Sequence, residues 1–300
     1  MGIGISTYIE SCAIGPKGFA PVGLYESARV RVEQSGTVMV YTGSSPHGQG
    51  GETTFSQIVA QEFGIPVENV MVIHGDTDST PEGRDTYGSR TTAVGGSAVF
   101  TAVQRLKEKM KQIAAAMLEA SASDVTLEDG NFFVAGSPQK SVSFADVAAT
   151  ANLSNTLAPG IEPGLETTAF WEPEALTYPF GTHICMVEVD KDTGEAKITR
   201  YIAVDDCGRQ INPMLVEGQI HGGITQGIGQ AMYEGVVYNE DGQLLTSTLM
   251  DYAMPLSTEL PSFETGTTVT PSPVNPLGVK GIGEAGTIGA TPAVANAVAD

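Results

Sequence analysis

Three hundred residues, 41% hydrophobic and 17% charged, can bury one large or two modest cores, which argues against a disordered chain. Fifteen basic side chains against 35 acidic ones give a net charge of −20, which repels nucleic acid and anionic lipid. Cys12, Cys185 and Cys207 are too few and too widely spaced for a disulfide framework or a zinc or iron–sulfur site; without a signal-peptide pattern or an apolar run of about 18 residues, the chain reads as a cytoplasmic protein.

The chain starts in a strand-like run. Residues 28–41 alternate, with Ala28, Val30 and Val32 on one face and Arg29, Arg31 and Glu33 on the other, then turn at Ser35-Gly36 and return through Val38 and Val40, which predicts a β-hairpin. A glycine-rich stretch, S-S-P-H-G-Q-G-G (44–51), leads into a helix over 52–63, where Phe55, Ile58, Val59 and Phe63 share a face and Gly64 stops it. A longer helix is expected over 97–120, because Val99, Val103, Leu106, Met110, Ile113 and Met117 recur at steps of four and three. That stripe is packing, not chemistry.

Two short strands, V-T-L-E-D-G and N-F-F-V-A-G, and a short helix over 143–151 follow, and the turn-rich segment 153–164 marks the expected boundary. The domains are therefore expected at 1–152 and 165–300, joined by a Pro/Gly-rich linker. The second half shows a hairpin over 185–199 turning at Asp192-Thr193-Gly194, a helix over 222–233 and a third hairpin turning at 239–242. Hairpin, loop and helix recur in both halves, a hint of duplication. A last helix is expected to open at Thr291-Pro292, an N-cap and N1 pair, and to be cut short at Asp300, so the chain reads as a fragment or one piece of a split protein.

Three loops gather glycine and polar groups. H-G-Q-G-G-E-T-T (47–54) precedes a helix N-terminus, where free N–H groups and the dipole suit a phosphate; it is neither a P-loop nor a Rossmann fingerprint, and a plain helix cap is the alternative. D-T-Y-G-S-R-T-T (85–92) crowds hydroxyls and an arginine before the long helix, with a surface turn as alternative. G-V-K-G-I-G-E-A-G (278–286) sets Glu284 among glycines with few polar neighbours in sequence; it is either a base with a raised pKa or an exposed loop glutamate. His74, His183 and His221 are dispersed and read as structural, and Cys207 in D-D-C-G reads as a small buried hydrophobe.

Taken in order, H-G-Q-G…E-T-T, I-P-V-E-N-V with G-D-T-D, T-Y-G-S-R-T-T, D-D-C-G-R-Q-I-N-P, E-G-Q-I-H-G-G and G-V-K-G-I-G-E-A-G resemble the large subunit of the molybdenum hydroxylases, the family of xanthine dehydrogenase, aldehyde oxidase and aerobic carbon monoxide dehydrogenase. The resemblance spans essentially the whole chain. It implies an α+β fold of two related α/β subdomains around a cofactor cleft, the second truncated at its C-terminus.

It also implies a molybdenum–molybdopterin cytosine dinucleotide, contacted by His47, Gly48, Gln49, Gly50, Gly88, Ser89, Arg90, Thr91, Thr92, Gln219, Gly281 and Gly283, with no protein ligand to the metal. Glu284 takes the place of the family's base in oxidising an aldehyde, an N-heterocycle or carbon monoxide, with water as oxygen source. Iron–sulfur and FAD centres are expected on partner subunits. The upstream part of the large subunit has no match here, which leaves the substrate open and predicts an uncovered apolar surface. The alternative is a catalytically silent fragment or scaffold that binds partner subunits without the cofactor.

Overall fold

The computed structural model describes residues 1–15 and 24–300. In chain order the elements are β1 (Gly2–Ile9), β2 (Glu26–Val32), β3 (Val38–Thr42), α1 (Gly51–Phe63), β4 (Val70–Ile73), α2 (Gly96–Met117), β5 (Val125–Glu128), β6 (Asn131–Val134), β7 (Ser137–Ser143), α3 (Phe144–Thr150), β8 (Leu165–Trp171), β9 (Phe180–Val189), β10 (Ala196–Asp206), α4 (Pro213–Ile228), β11 (Phe263–Thr268) and α5 (Ala285–Ala299). Single π-helical turns lead into α2 at Thr91–Gly95 and extend α4 at Gly229–Tyr233. This is the α+β class that the resemblance implies.

The elements divide into two compact units: a mid-chain unit, Ala13–Leu176 with Pro273–Leu277, and a terminal unit, Met1–Cys12 with Thr177–Ser272 and Gly278–Asp300. The expected halves, 1–152 and 165–300, do not coincide with these. β8 lies beyond the supposed linker yet pairs antiparallel with β2, and β1 leaves the first half to pair antiparallel with β9. Pairing between strands so far apart leaves no mark in the local turn residues that suggest a boundary at 153–164.

In the mid-chain unit the main sheet runs β4-β3-β2-β8. The alternation in β2 and β3 buries Ala28, Val30, Val32, Val38 and Val40, and α1 and α2 bury their apolar stripes, including Phe55, Phe63, Leu106 and Met110. β3 and β4 are parallel, so α1 is a crossover, and Gly64, in the left-handed region at φ 67°, ends it. A small antiparallel sheet, β5-β6-β7, completes the unit with α3, which Ser143 caps.

In the terminal unit the sheet runs β1-β9-β10-β11, with β10 and β11 parallel and α4 between them in sequence. Its core joins Cys185, Val187, Tyr201 and Ala203 of the sheet to Ile220, Ile224, Ala290 and Val294 of α4 and α5. Ile3, Ile5, Ile9 and Val204 remain exposed.

Two expectations fail here, for one reason. α4 begins at Pro213, with Asn212 Oδ1 accepting from the Leu215 N–H at 3.1 Å, not at residue 222, and α5 begins at Ala285, with Pro292 inside it rather than at its start. Their glycines look like loop yet permit close backbone approach: a Cβ on Gly286 would stand 2.6 Å from the Ile220 carbonyl oxygen and 2.8 Å from the Gly223 Cα. Packing between the helices overrides weak propensity. The third hairpin forms with its turn at 239–242, the Asn239 N–H donating to the Gln243 carbonyl at 3.0 Å and the Leu245 N–H to the Val237 carbonyl at 2.8 Å, around the single bridge of Tyr238 to Leu244. Among the described residues no helix is long and apolar enough to cross a membrane.

Candidate functional site

The first glycine loop carries the chain from β3 to α1. Gly50, in the left-handed region at φ 74°, occupies the N-cap, and no side chain caps the helix. The N-cap thus supplies no side chain, although the Glu52 carboxylate stands in the first turn and accepts from its own backbone N–H. Gly48 is also left-handed, at φ 94°, with open space where a Cβ would sit. His47 is exposed, and its backbone N–H donates to Gln49 Oε1. In the first turn, Glu52 lies 2.6 Å from His74 Nε2, and that hydrogen bond holds the carboxyl below its ordinary value.

The second loop turns through three left-handed residues, Asp85, Gly88 and Ser89, before the π-helical turn at Thr91 that opens into α2, again without a side-chain cap. The loops are joined: the Ser45 N–H donates to Asp85 Oδ1 at 3.0 Å. Thr91 Oγ1 donates to Thr86 Oγ1 at 2.9 Å.

Arg90 is wholly buried. Its Nε donates to the Ile14 carbonyl at 2.9 Å, Nη1 to Glu26 at 2.5 Å and to the Asp85 carbonyl at 3.0 Å, and Nη2 to the Leu24 carbonyl at 2.6 Å. The guanidinium is thus spent on the protein, and the direct cofactor contact expected of Arg90 is not open to its side chain. Burial pushes the Glu26 carboxyl above its ordinary value, against the opposing pull of Arg90 and the Arg84 N–H. Sequence reasoning missed Glu26, which lies 64 positions from Arg90.

In the terminal unit, β10 ends in two consecutive aspartates. Asp205 accepts from Tyr8 Oη at 2.5 Å and lies 3.1 Å from His183 Nε2, and His183 Nδ1 lies 2.9 Å from Tyr201 Oη, with His183, Tyr201 and Asp205 all buried. His183 is thus the satisfied core histidine that its isolation in sequence suggests. Asp206, also buried, accepts from Lys280 Nζ at 2.9 Å, from the Gly208 N–H at 2.9 Å and from Thr268 Oγ1 at 3.0 Å. Burial pushes its carboxyl up, but these bonds and one from Thr270 outweigh it and hold Asp206 below its ordinary value. Burial, reinforced by Asp206, pushes the Cys207 thiol up to about 11, which keeps it neutral near pH 7.

Glu284 is the N-cap residue of α5, preceded by buried Gly281 and exposed Gly283. Glu284 is exposed, as the loop-glutamate alternative has it. Gln219 lies half-buried on α4. The candidates therefore gather as His47 to Gly50 with Gly88 to Thr92 in the mid-chain unit, and as Gly281, Gly283 and Glu284, with Gln219 on α4, in the terminal unit.

The family model described as "Molybdopterin cofactor-binding domain" matches residues 1–261. The chain belongs to the molybdopterin cofactor-binding domain family. Among its relatives is the carbon monoxide dehydrogenase large chain of Afipia carboxidovorans, 42% identical over 303 residues that cover 100% of this chain and 37% of that one. Among solved structures, reconstituted carbon monoxide dehydrogenase from Oligotropha carboxidovorans superposes with a TM-score of 0.95 at 42% identity, covering 100% of this chain and 37% of that one. Quinoline 2-oxidoreductase from Pseudomonas putida 86 gives 0.93 at 40% identity, covering 99% and 38%. The chain thus spans little more than a third of the length of these relatives. As a molybdopterin cofactor-binding domain it offers donors suited to an anionic ligand: two linked glycine loops, each ending at a helix start that no side chain caps.

Proposed function

We propose that this chain is the molybdopterin-binding part of a molybdenum hydroxylase large subunit, acting in a cytoplasmic complex whose partner subunits carry the iron–sulfur and FAD centres. The observation that carries the reading is the pair of uncapped helix starts joined through Ser45 and Asp85, in a chain of this family. His47, Gly48, Gln49, Gly50, Gly88, Ser89, Thr91 and Thr92 would hold the pyrophosphate and pterin of a cytosine dinucleotide form through backbone and side-chain donors. Arg90 serves by fixing the second loop from within. Gln219, Gly281 and Gly283 are the contacts proposed in the terminal unit. When bound, the molybdenum centre would supply the acceptor for the two electrons of the oxidation.

Glu284 is the base: its carboxylate accepts the proton of the water that supplies the oxygen. The substrate is a small electron-poor molecule, an aldehyde, an N-heterocycle or carbon monoxide. Relatives named for carbon monoxide and for quinoline lie at 42% and 40% identity, so likeness does not choose between them. The exposed Ile3, Ile5 and Ile9 suit burial against a further part of the large subunit.

The test is metal and nucleotide analysis of the assembled complex together with Glu284→Gln. Stoichiometric molybdenum and a cytosine nucleotide in both proteins, with kcat reduced about 10²–10⁴-fold in the variant, is the expected result. A complex without molybdenum would favour the silent scaffold, and a fully active Glu284→Gln enzyme would remove the assignment of the base.

A further inference from the structure

The glycine loop that carries Glu284 is anchored at each end, and both anchors lie within the terminal unit. On the near side, the Lys280 N–H donates to the Cys207 carbonyl at 2.7 Å, the Arg209 N–H donates to the Gly278 carbonyl at 2.9 Å, and Val279 bridges Gly208. Lys280 then turns its side chain inward: it is 9% exposed, Nζ donates to buried Asp206 at 2.9 Å, and it stands 4.6 Å from the centroid of the Phe180 ring. On the far side, Gly286 sits against the α4 backbone too closely for any side chain. Only Gly281, Ile282 and Gly283 separate Lys280 from Glu284, and two of these have no side chain with which to fix their own conformation.

A buried ion pair adds little net stability over an apolar pair of the same shape, because both charges must be desolvated. What it does supply is a single geometry, since Asp206 is already held by Gly208 and Thr268 and leaves Lys280 one place to go. We propose that Lys280 and Asp206 are positioning residues for Glu284: the pair fixes the start of the glycine loop, and so the place where the carboxylate is presented. The proposal rests on the reading of Glu284 as base. Neither residue touches the reacting atoms. They act through the loop, in which a displacement of about 1 Å at a proton acceptor costs roughly 10²-fold in rate.

The experiment uses the assembled complex and compares Lys280→Met, Lys280→Arg, Asp206→Asn and Glu284→Gln by steady-state kinetics, molybdenum content and amide hydrogen exchange. In Lys280→Met, kcat should fall about 10–100-fold with KM and molybdenum content unchanged. Exchange at residues 281–287 should quicken about tenfold or more while β9 and α2 keep their protection. Lys280→Arg, which retains charge and reach, should recover kcat to within about threefold, and adding Asp206→Asn to Lys280→Met should cost no more than about another twofold. Unchanged exchange at 281–287, faster exchange throughout the terminal unit, or a kcat loss matched by molybdenum loss would each overturn the proposal. Should Lys280→Met fail to assemble, Asp206→Asn is read by the same criteria. If Glu284→Gln is slow and Lys280→Met is not, the positioning role alone fails; if Glu284→Gln is fully active, the base assignment fails and takes the positioning role with it.

Discussion

The two units repeat one wiring. In the mid-chain unit β8, β2 and β3 pair antiparallel in turn, β4 is added parallel after the α1 crossover, and α2 lies on β8 and β2; in the terminal unit β1, β9 and β10 pair antiparallel in turn, β11 is added parallel after α4, and α5 lies on β1 and β9. Each unit has a loop leading into its crossover helix and another leading into its second helix. In both, the second loop is held by a buried cation paired with a sheet carboxylate, Arg90 with Glu26 and Lys280 with Asp206. The difference lies on the C-terminal side of each anchor. Arg90 leads directly into hydroxyls at an uncapped helix start, suited to an anion, whereas Lys280 leads through glycines to an exposed carboxylate. The same frame thus offers donors in one unit and an acceptor in the other.

The comparison breaks most readily at the two ion pairs. Arg90→Met leaves Glu26 buried without its cation and should cost about 3–5 kcal/mol, read as the loss of stability in urea unfolding. Lys280→Met should cost less, about 1.5–3 kcal/mol, because Lys280 stays slightly exposed and Asp206 keeps its bonds from Gly208 and Thr268. Equal losses would mean that the two anchors are equivalent.

A smaller effect separates the helix pairs. A Cβ on Gly286 meets α4 backbone at 2.6–2.8 Å, so Gly286→Ala should destabilise by about 1–3 kcal/mol. A Cβ on Gly96 meets only side-chain atoms, the nearest being the Leu277 and Ile58 ends at 3.1 and 3.3 Å, so the gain in helix propensity should leave Gly96→Ala within about 0.5 kcal/mol of the parent. Thermal unfolding of the two variants decides this.

The smallest expected effect is one of pH. The Asp206 carboxyl is lowered in the folded chain, so its contribution is complete above the unfolded value, about 4, and is lost as pH falls through the lower folded value. The difference in melting temperature between the parent and Asp206→Asn should be flat from neutral pH down to about pH 5 and narrow towards pH 3. A difference that widens on acidification would contradict the assigned direction.

Legibility tracks range. The β2–β3 hairpin and the apolar stripe of α2 are plain in the sequence because period two and period 3.6 are local. α5 is not, because Gly286, Gly289 and Pro292 look like loop until α4 and the His183 ring, which needs the space at Gly289, are placed beside them. The glycine loops stand out as clusters, and Glu284 stands out within one of them. The groups that hold those loops are hidden: Glu26 lies 64 positions from Arg90 and Asp206 lies 74 from Lys280, so neither pair has a local signature. For the same reason Arg90 reads as a ligand contact when its side chain faces its own backbone.

The pairing of β1 with β9 carries a consequence for synthesis. Between Ile9 and Phe180 the ribosome must deliver nearly all of the mid-chain unit, and α5, which packs on β1, follows about a hundred residues after β9 begins. Gly2 and Gly4 lie under Ala297 and Ala293 too closely to admit a side chain. β1 therefore waits for β9 and α5, and the mid-chain unit has the time in between to collapse around its own core. A nascent chain stalled near residue 180 should already protect α1 and α2 while β1 remains open to chaperones.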